Sequence, residues 1–308
     1  MEIHFTYLVL PGEDGYPLKR ILKEKLSLSE GLIRRAKFVP GAIRVNGLTF
    51  LRDRPVTTRF SVQPGDQVEI TIPDREPAVI PAQGELDILF ENENLLVLNK
   101  PAGLAVHPAK GHFNDTLVNY LAYAYPEPPR LIGRLDKDTS GALLAARTAL
   151  SADRLKQDRE RGDVTRIYLA LVLGQLPPQG RIDAPLKETR EGTPPGDNGH
   201  PLRLMKAEED GMEAHTLFQT LDYTDGISLV KIKLLTGRTH QIRAHFASFG
   251  HPLLGDHLYQ AFCGITEKDI TASRAMLHSY QLTFPDPLSG KILTVQAPLP
   301  DDFKAHYF

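Results

Sequence analysis

The chain has 308 residues, 41% of them apolar and 24% charged, with 24 glycines, 24 prolines and a formal net charge of −2. That length predicts about two domains at roughly 150 residues each, and the apolar content allows a sizeable core and excludes wholesale disorder. A lone cysteine, Cys263, excludes an internal disulfide framework and any multi-cysteine zinc site. No stretch approaches the ~18 consecutive apolar residues of a membrane span. The opening MEIHFTYLVLPGEDG lacks the basic start and small-residue cleavage site of an export signal. The expectation is a soluble, cytoplasmic protein without a membrane partner.

The small net charge conceals an asymmetry. Residues 17–60 carry eleven Lys and Arg against three Asp and Glu, so a basic module precedes an acidic body, and phosphate attraction follows the local patch. Within it, Leu18, Ile21, Leu22 and Leu26 fall at helical spacing. Ser29 offers an N-cap for a second helix with Leu32, Ile33 and Ala36 on its apolar face. Arg34, Arg35 and Lys37 lie on the remaining surface. Asn46-Gly47 signals a turn between strands, and the alternation Val68, Ile70, Ile72 after Pro64-Gly65-Asp66 predicts a closing strand. These residues alone also fit an amphipathic helix pair with a solvated basic face. The segment KEKLSLSEGLIRRAKFVPGAIRVNG, followed by PGDQVEI, resembles the S-four-type RNA-binding module, the αL motif, over about residues 15–72. The resemblance implies that Arg34, Arg35 and Lys37 meet RNA phosphates.

Residues 73–84, PDREPAVIPAQG, read as a linker. The expected division is therefore a module over 1–74, a linker over 75–84 and a body over 85–308. In the body, DILFENENLLVLNKPAG predicts two strands about an Asn/Glu turn. Asp115 is a candidate cap for a helix bearing Leu117, Val118, Leu121 and Ala122, and Thr148 caps another that stops near Gly162. VTRIYLALVLG, AHTLFQTLDY and ISLVKIKLLTG predict strands, THQIRAHFASFG a helix ending at Gly250, and SYQLTF and KILTVQAP further strands. Residues 188–213, rich in Gly, Pro and charge, read as a mobile excursion. Strands in runs with irregularly interspersed helices indicate an α+β fold with a mixed, mostly antiparallel sheet.

The most informative segment is GRLDKDTSGALLAAR, residues 133–147. It sets Asp136 in a turn between Arg134 and Lys137, before an apolar strand. A turn Asp is commonly structural, bonding its own backbone two residues on, and its surroundings alone name no reaction. With LLVLNKPAGLAVHPA upstream and LLTGRTHQIRAHFASFGHPLLGD downstream, however, the segment resembles the RluA family of RNA pseudouridine synthases, over roughly residues 85–297. That resemblance implies a catalytic domain of pseudouridine synthase type behind the small α/β module. It also implies that Asp136 is the essential carboxylate and that Arg134 occupies the space of the flipped base. The same resemblance implies that Tyr168 contacts the target uracil and that Arg238 is the ion-pair partner of the Asp. Gly133 departs from the family, where many members have His.

Converting uridine to pseudouridine breaks the N1 glycosidic bond, turns the uracil and rejoins it through carbon 5, and it calls for no cofactor. It needs a group that assists cleavage, a pocket for the loose base and a route for the carbon-5 proton. An ionised carboxylate serves the first as nucleophile or as base, alternatives that the sequence leaves open. Burial alone would neutralise an Asp, so a guanidinium, assigned to Arg238, would keep it charged. Tyr168 offers a flat ring for stacking. Its hydroxyl, ordinarily titrating near pH ~10, is the less ready proton acceptor. An arginine stacked in the vacated position offsets part of the cost of flipping.

His107, His112, His240, His245, His251 and His257 lack metal-ligand spacing, and no metal is expected. Asn99-Lys100-Pro101 is expected to shape the pocket wall or meet a phosphate, and Cys263 to be inert. Competing readings are the RsuA-like branch, a non-catalytic RNA-binding assembly factor, and a two-carboxylate glycoside hydrolase, for which no second acidic segment stands out. The RNA substrate is expected to be ribosomal, with transfer RNA second, and no obligate protein partner is evident.

Overall fold

The computed structural model describes residues 2–26, 28, 30–37, 39–73, 79–108, 112–190, 193, 202–265 and 272–307. The chain divides into two compact units, Met1–Val79 and Ile80–Phe308.

In the first unit β1 (Glu2–Leu8) is followed by a single turn, α1 (Leu18–Arg20), that runs on into a π-helical turn over Ile21–Lys25. Then come α2 (Glu30–Lys37), β2 (Ile43–Val45), the short pair β3 (Phe50–Leu51) and β4 (Arg54–Pro55), and β5 (Gln67–Pro73). β5 is the centre of an antiparallel sheet in the order β1-β5-β2. Leu18, Ile21, Leu22, Ile33, Ala36, Val45, Val68 and Ile70 form the core, so the expected helical periodicities face inward. The expected cap Ser29 lies outside the described residues. Asn46 and Gly47 adopt left-handed φ of 54° and 75°, and the turn they form closes a bridge between Val45 and Leu48. Much of the positive charge is engaged locally. Lys19 and Lys23 meet Glu30, Arg20 meets Glu24, Lys25 meets Glu13, and Arg52 meets the buried Asp66.

The second unit begins before the expected boundary. Asn119 donates to the Ile80 carbonyl and accepts, at its own carbonyl, the Ala82 N–H, so residues 80–84 belong to the body rather than to a linker. Its elements are β6 (Ile88–Glu91), β7 (Leu95–Lys100), α3 (Leu117–Ala124), β8 (Arg130–Leu131), β9 (Ser140–Ala146), α4 (Ala149–Arg161), β10 (Thr165–Leu173), β11 (Gln179–Asp183), β12 (Leu186–Thr189), β13 (Leu204–Ala207), β14 (His215–Thr224), β15 (Ile227–Leu234), α5 (Gln241–Ser248), α6 (His257–Phe262), β16 (Leu277–Pro285), β17 (Ile292–Gln296) and α7 (Asp301–Ala305). The main sheet runs β11-β14-β15-β10-β16-β9-β7-β6, with β17 on β16 and β8 on β9. All its pairings are antiparallel except β16 with β9. The α+β, mostly antiparallel sheet is as expected.

The sheet is covered on both faces, which is why its strands read as continuous apolar runs. In β7, Leu96 and Leu98 enter one core while Leu95 and Val97 enter the other, and β9 alternates likewise with Leu143 and Ala145 against Ala142 and Leu144. Each such side chain contributes roughly 1.5–3 kcal/mol on burial. At the parallel join, Gly141 has φ 107°, and a Cβ there would stand 2.3 Å from the Ser279 carbonyl oxygen, so only glycine lets β9 meet β16.

Two local expectations change. The cap of α3 is Thr116, whose N–H and hydroxyl both reach Asn119 Oδ1, while Asp115 pairs with His112 at 2.6 Å. The segment 188–213 is not wholly an excursion. Its ends form the β12–β13 hairpin, with Leu186, Leu204 and Met205 packed on Tyr259. Thr148 does cap α4, accepting the Ser151 N–H, and Gly162 ends it in a left-handed conformation.

Candidate active site

Asp136 sits in the turn just before β9, after the buried Leu135, and its carbonyl accepts the Thr139 N–H at 3.2 Å. Two buried cations fix this turn from distant segments. Lys100, at the end of β7 and fully buried, donates to the carbonyls of Pro101, Leu104 and Lys137 at 2.7, 2.8 and 2.8 Å. Burial pushes its amine down to about 7, while the nearby Asp138 and Asp136 carboxylates oppose that shift. Arg274, paired with Asp302, donates to the Asp138 carbonyl at 3.1 Å. The expectation that the Asn99-Lys100-Pro101 segment lines the pocket or meets a phosphate therefore fails for Lys100: its three donors are spent inside the protein.

The guanidinium beside Asp136 belongs to Arg243, not Arg238. Arg243 Nη1 lies 3.5 Å from Asp136 Oδ2, and its Nε and Nη2 grip Asp256 at 2.6 and 2.8 Å. Asp256, 1% exposed, also caps α6 by accepting the Tyr259 N–H. The Arg238 side chain turns the other way, its Nε donating to the Glu213 carbonyl at 2.9 Å. The reason is local. Arg238 precedes α5 in a loop held by Gln241, which accepts the Arg238 N–H and the Thr236 hydroxyl, whereas Arg243 lies inside the first turn of α5, among buried neighbours.

His240 also approaches Asp136 Oδ2, at 4.0 Å. It starts α5 with a left-handed φ of 52° and stands edge-on to Tyr259. Burial holds its pKa below the usual range, with Asp136 working against that, so at neutral pH the ring is uncharged and Arg243 is the cation on the carboxylate. Both groups address Oδ2. Among the described residues none hydrogen-bonds Oδ1, and the Asp136 side chain keeps 25% of its surface exposed. The result is a carboxylate oriented through one of its oxygens.

Tyr168, on β10, is 5% exposed. Burial raises its pKa, and the nearby Asp136 adds to the rise, which disfavours a phenolate and favours a role for the ring. Asp136, Tyr168, Arg238 and Arg134 all line one cavity of about 540 Å³, together with Arg159, Arg166, His240 and Arg243. Arg134 is exposed at its edge. Gly133, the departure from the family pattern noted in the sequence, has φ 116°, a conformation that suits glycine and strains any side chain.

Residues 94–248 match the family model described as RNA pseudouridylate synthase, a span that holds the whole constellation from Asp136 to Arg243. The chain belongs to the RNA pseudouridylate synthase family. It is 35% identical to the Bacillus subtilis protein named "Uncharacterized RNA pseudouridine synthase YhcT", over 96% of this chain and 94% of that one. To the "Ribosomal large subunit pseudouridine synthase D" of Neisseria meningitidis it is 36% identical, over 83% of this chain and 70% of that one. Among solved structures, "Human RNA Pseudouridylate Synthase Domain Containing 4" superposes with a TM-score of 0.55 at 28% identity, over 71% of this chain and 90% of the human one. This pseudouridine synthase is thus an isomerase acting on uridine in RNA.

Arg34 and Lys37 are exposed on α2 and, among the described residues, have no carboxylate partner, while the side chain of Arg35 lies outside what the structure describes. His245 is fully buried, bonded to Thr216 and Ala184. Burial raises the Cys263 thiol above its ordinary pKa, as expected of an unreactive cysteine. No helix among the described residues is long and apolar enough to cross a membrane. Sequence reasoning missed Arg243 and Asp256. The available signal was an arginine amid the apolar residues of a short helix, which demands a buried carboxylate.

Proposed function

We propose that this pseudouridine synthase modifies ribosomal RNA in the cytoplasm, with Asp136 as its essential carboxylate. The observation that carries the role of Asp136 is its placement: Arg243 approaches Oδ2 at 3.5 Å, no described residue hydrogen-bonds Oδ1, and the residue lines a cavity of about 540 Å³. Arg243 sets a positive charge against Oδ2 and orients the carboxylate, so that Asp136 can attack the ribose or uracil or take a proton from the sugar. The N1–C1′ bond then breaks, the uracil turns and C5 bonds to C1′, with the bond to Asp136 broken again or the sugar proton returned, while the C5 proton leaves and N1 gains one.

Tyr168 supplies a face for the uracil while the base is detached. Its raised pKa argues against the phenol oxygen as the acceptor of the C5 proton. Arg134, exposed at the cavity edge, fills the stack vacated by the base. The first unit acts as the αL-type RNA-binding module, with Arg34, Arg35 and Lys37 on phosphates. Two exposed cations on α2, Arg34 and Lys37, without a carboxylate partner among the described residues, support this.

Ribosomal RNA is favoured over transfer RNA because the N-terminal segment resembles a ribosomal-protein fold and because relatives at 36% and 39% identity carry ribosomal large subunit names. Mapping pseudouridines in total RNA from cells with and without the gene tests this. A site lost from ribosomal RNA agrees with the proposal, and a loss confined to transfer RNA overturns the assignment.

A further inference from the structure

Arg166 lies in β10 two residues before Tyr168, so both side chains leave the same face of the strand, and both line the active-site cavity. Its guanidinium rests against Gly237, where a Cβ would stand 3.0 Å from Nη1, and its Nη2 donates a long 3.3 Å bond to the Thr236 carbonyl. The Nε–H is buried and has no acceptor. Among the described residues no carboxylate lies within salt-bridge distance of Arg166, whereas Arg243 in the same cavity is committed to Asp256 and Asp136. A partly buried cation without a counter-charge and with an unsatisfied donor is costly, and nothing among the described residues relieves it.

We propose that Arg166 is the seat for a phosphodiester of the nucleotide drawn into the cavity. This rests on the chain's acting on uridine in RNA. A phosphate supplies both what Arg166 lacks: a full negative charge and oxygens spaced for the guanidinium fork. A uracil carbonyl would satisfy a donor and leave the charge uncompensated. Gly237 gives the guanidinium room to swing from Thr236 toward the anion. Anchoring the backbone beside Tyr168 would fix the ribose against Asp136, which is the geometry that the reaction demands.

The test is a double-mutant cycle with a chemically neutralised phosphate. An RNA stem-loop containing a uridine that the wild-type protein converts is made with ordinary linkages, or with a methylphosphonate on the 5′ or the 3′ side of that uridine. Equilibrium binding is measured for full-length protein, all in the Asp136→Asn background to prevent turnover. Arg166→Gln is expected to weaken binding of the natural RNA about tenfold or more, as for removal of a charge-assisted bond. One of the methylphosphonates should weaken binding by the same factor, and the two changes together should cost no more than either. Additive losses at both linkages overturn the proposal. If the Gln variant melts far below the parent, Arg166→Lys, which keeps the charge and loses the fork, carries the same cycle. Failure of the wild-type protein to convert any uridine would instead overturn the isomerase reading itself.

Discussion

Arg243 touches Asp136 with one nitrogen because Asp256 holds the other two. The pair Arg243–Asp256, at 2.6 and 2.8 Å, is the tight one, and the approach to Asp136 at 3.5 Å is the loose one. A bidentate carboxylate fixes the plane of the guanidinium, so Asp256 sets the direction from which positive charge reaches Asp136.

This arrangement separates two arginines of one short motif, Arg238 and Arg243. Arg243→Lys keeps a charge that cannot span both carboxylates, and kcat for uridine isomerisation is expected to fall on the order of 100-fold, the cost of a small misplacement at a reacting group. Arg238→Lys alters a side chain bonded to a backbone carbonyl, and its effect is expected in RNA affinity with kcat kept within about threefold. Steady-state kinetics of the two variants check the contrast. The opposite ranking would return the ion-pair role to Arg238.

Acid should destabilise the protein partly through His278. This buried ring donates from Nε2 to the Ala297 carbonyl and accepts at Nδ1 from the Ser140 hydroxyl, so its neutral form is fully bonded and burial pushes its pKa down to about 4. The unfolded chain then binds the extra proton first. Stability is complete above the ordinary His pKa near 6.5 and is lost as pH falls toward 4. Between pH 7 and pH 5 the loss from this residue is expected to be about 2 kcal/mol. Urea unfolding at the two pH values checks it: His278→Gln, though less stable at pH 7, should lose less on acidification by that amount.

Arg34 and Lys37 should contribute to RNA binding through charge alone. Replacing both with Ala is expected to lower the slope of log K against log salt by about 0.7–0.9 for each phosphate they neutralise, with little effect on kcat. An unchanged slope in a binding titration at several salt concentrations would remove α2 from the RNA surface.

The fold is readable where burial imposes a period. Val68 and Ile70 alternate because β5 has one buried face, and the helical spacing of Leu18, Ile21 and Leu22 survives even though the second of the two turns they span is π-helical. Strand β1 escapes the sequence reading although Ile3, Phe5 and Tyr7 alternate, since its partner β5 lies some sixty residues away. The segment 188–213 reads as mobile because its composition is dominated by Gly, Pro and charge, while the hairpin at its ends is secured by distant Tyr259, whose hydroxyl accepts the Met205 N–H.

At the site, Asp136, Arg134 and Tyr168 are reached through the family resemblance of GRLDKDTSGALLAAR and RIYLALVLG, and all three line the cavity. Arg243 is not reached so, since GRTHQIR holds two arginines and only the start of α5 after His240 decides which one turns inward. Lys100 is misread for a related reason: its partners are carbonyls, among them that of Lys137, and backbone acceptors leave no mark in a sequence.

The central claim is that the Asp136 carboxylate carries out the chemistry. Release of tritium from carbon-5-labelled RNA measures it directly. Asp136→Asn keeps the shape of the side chain and removes its charge, and is expected to lower the release rate by at least about 100-fold while RNA affinity changes by less than about threefold. Tritium release at the wild-type rate from that variant would contradict the account.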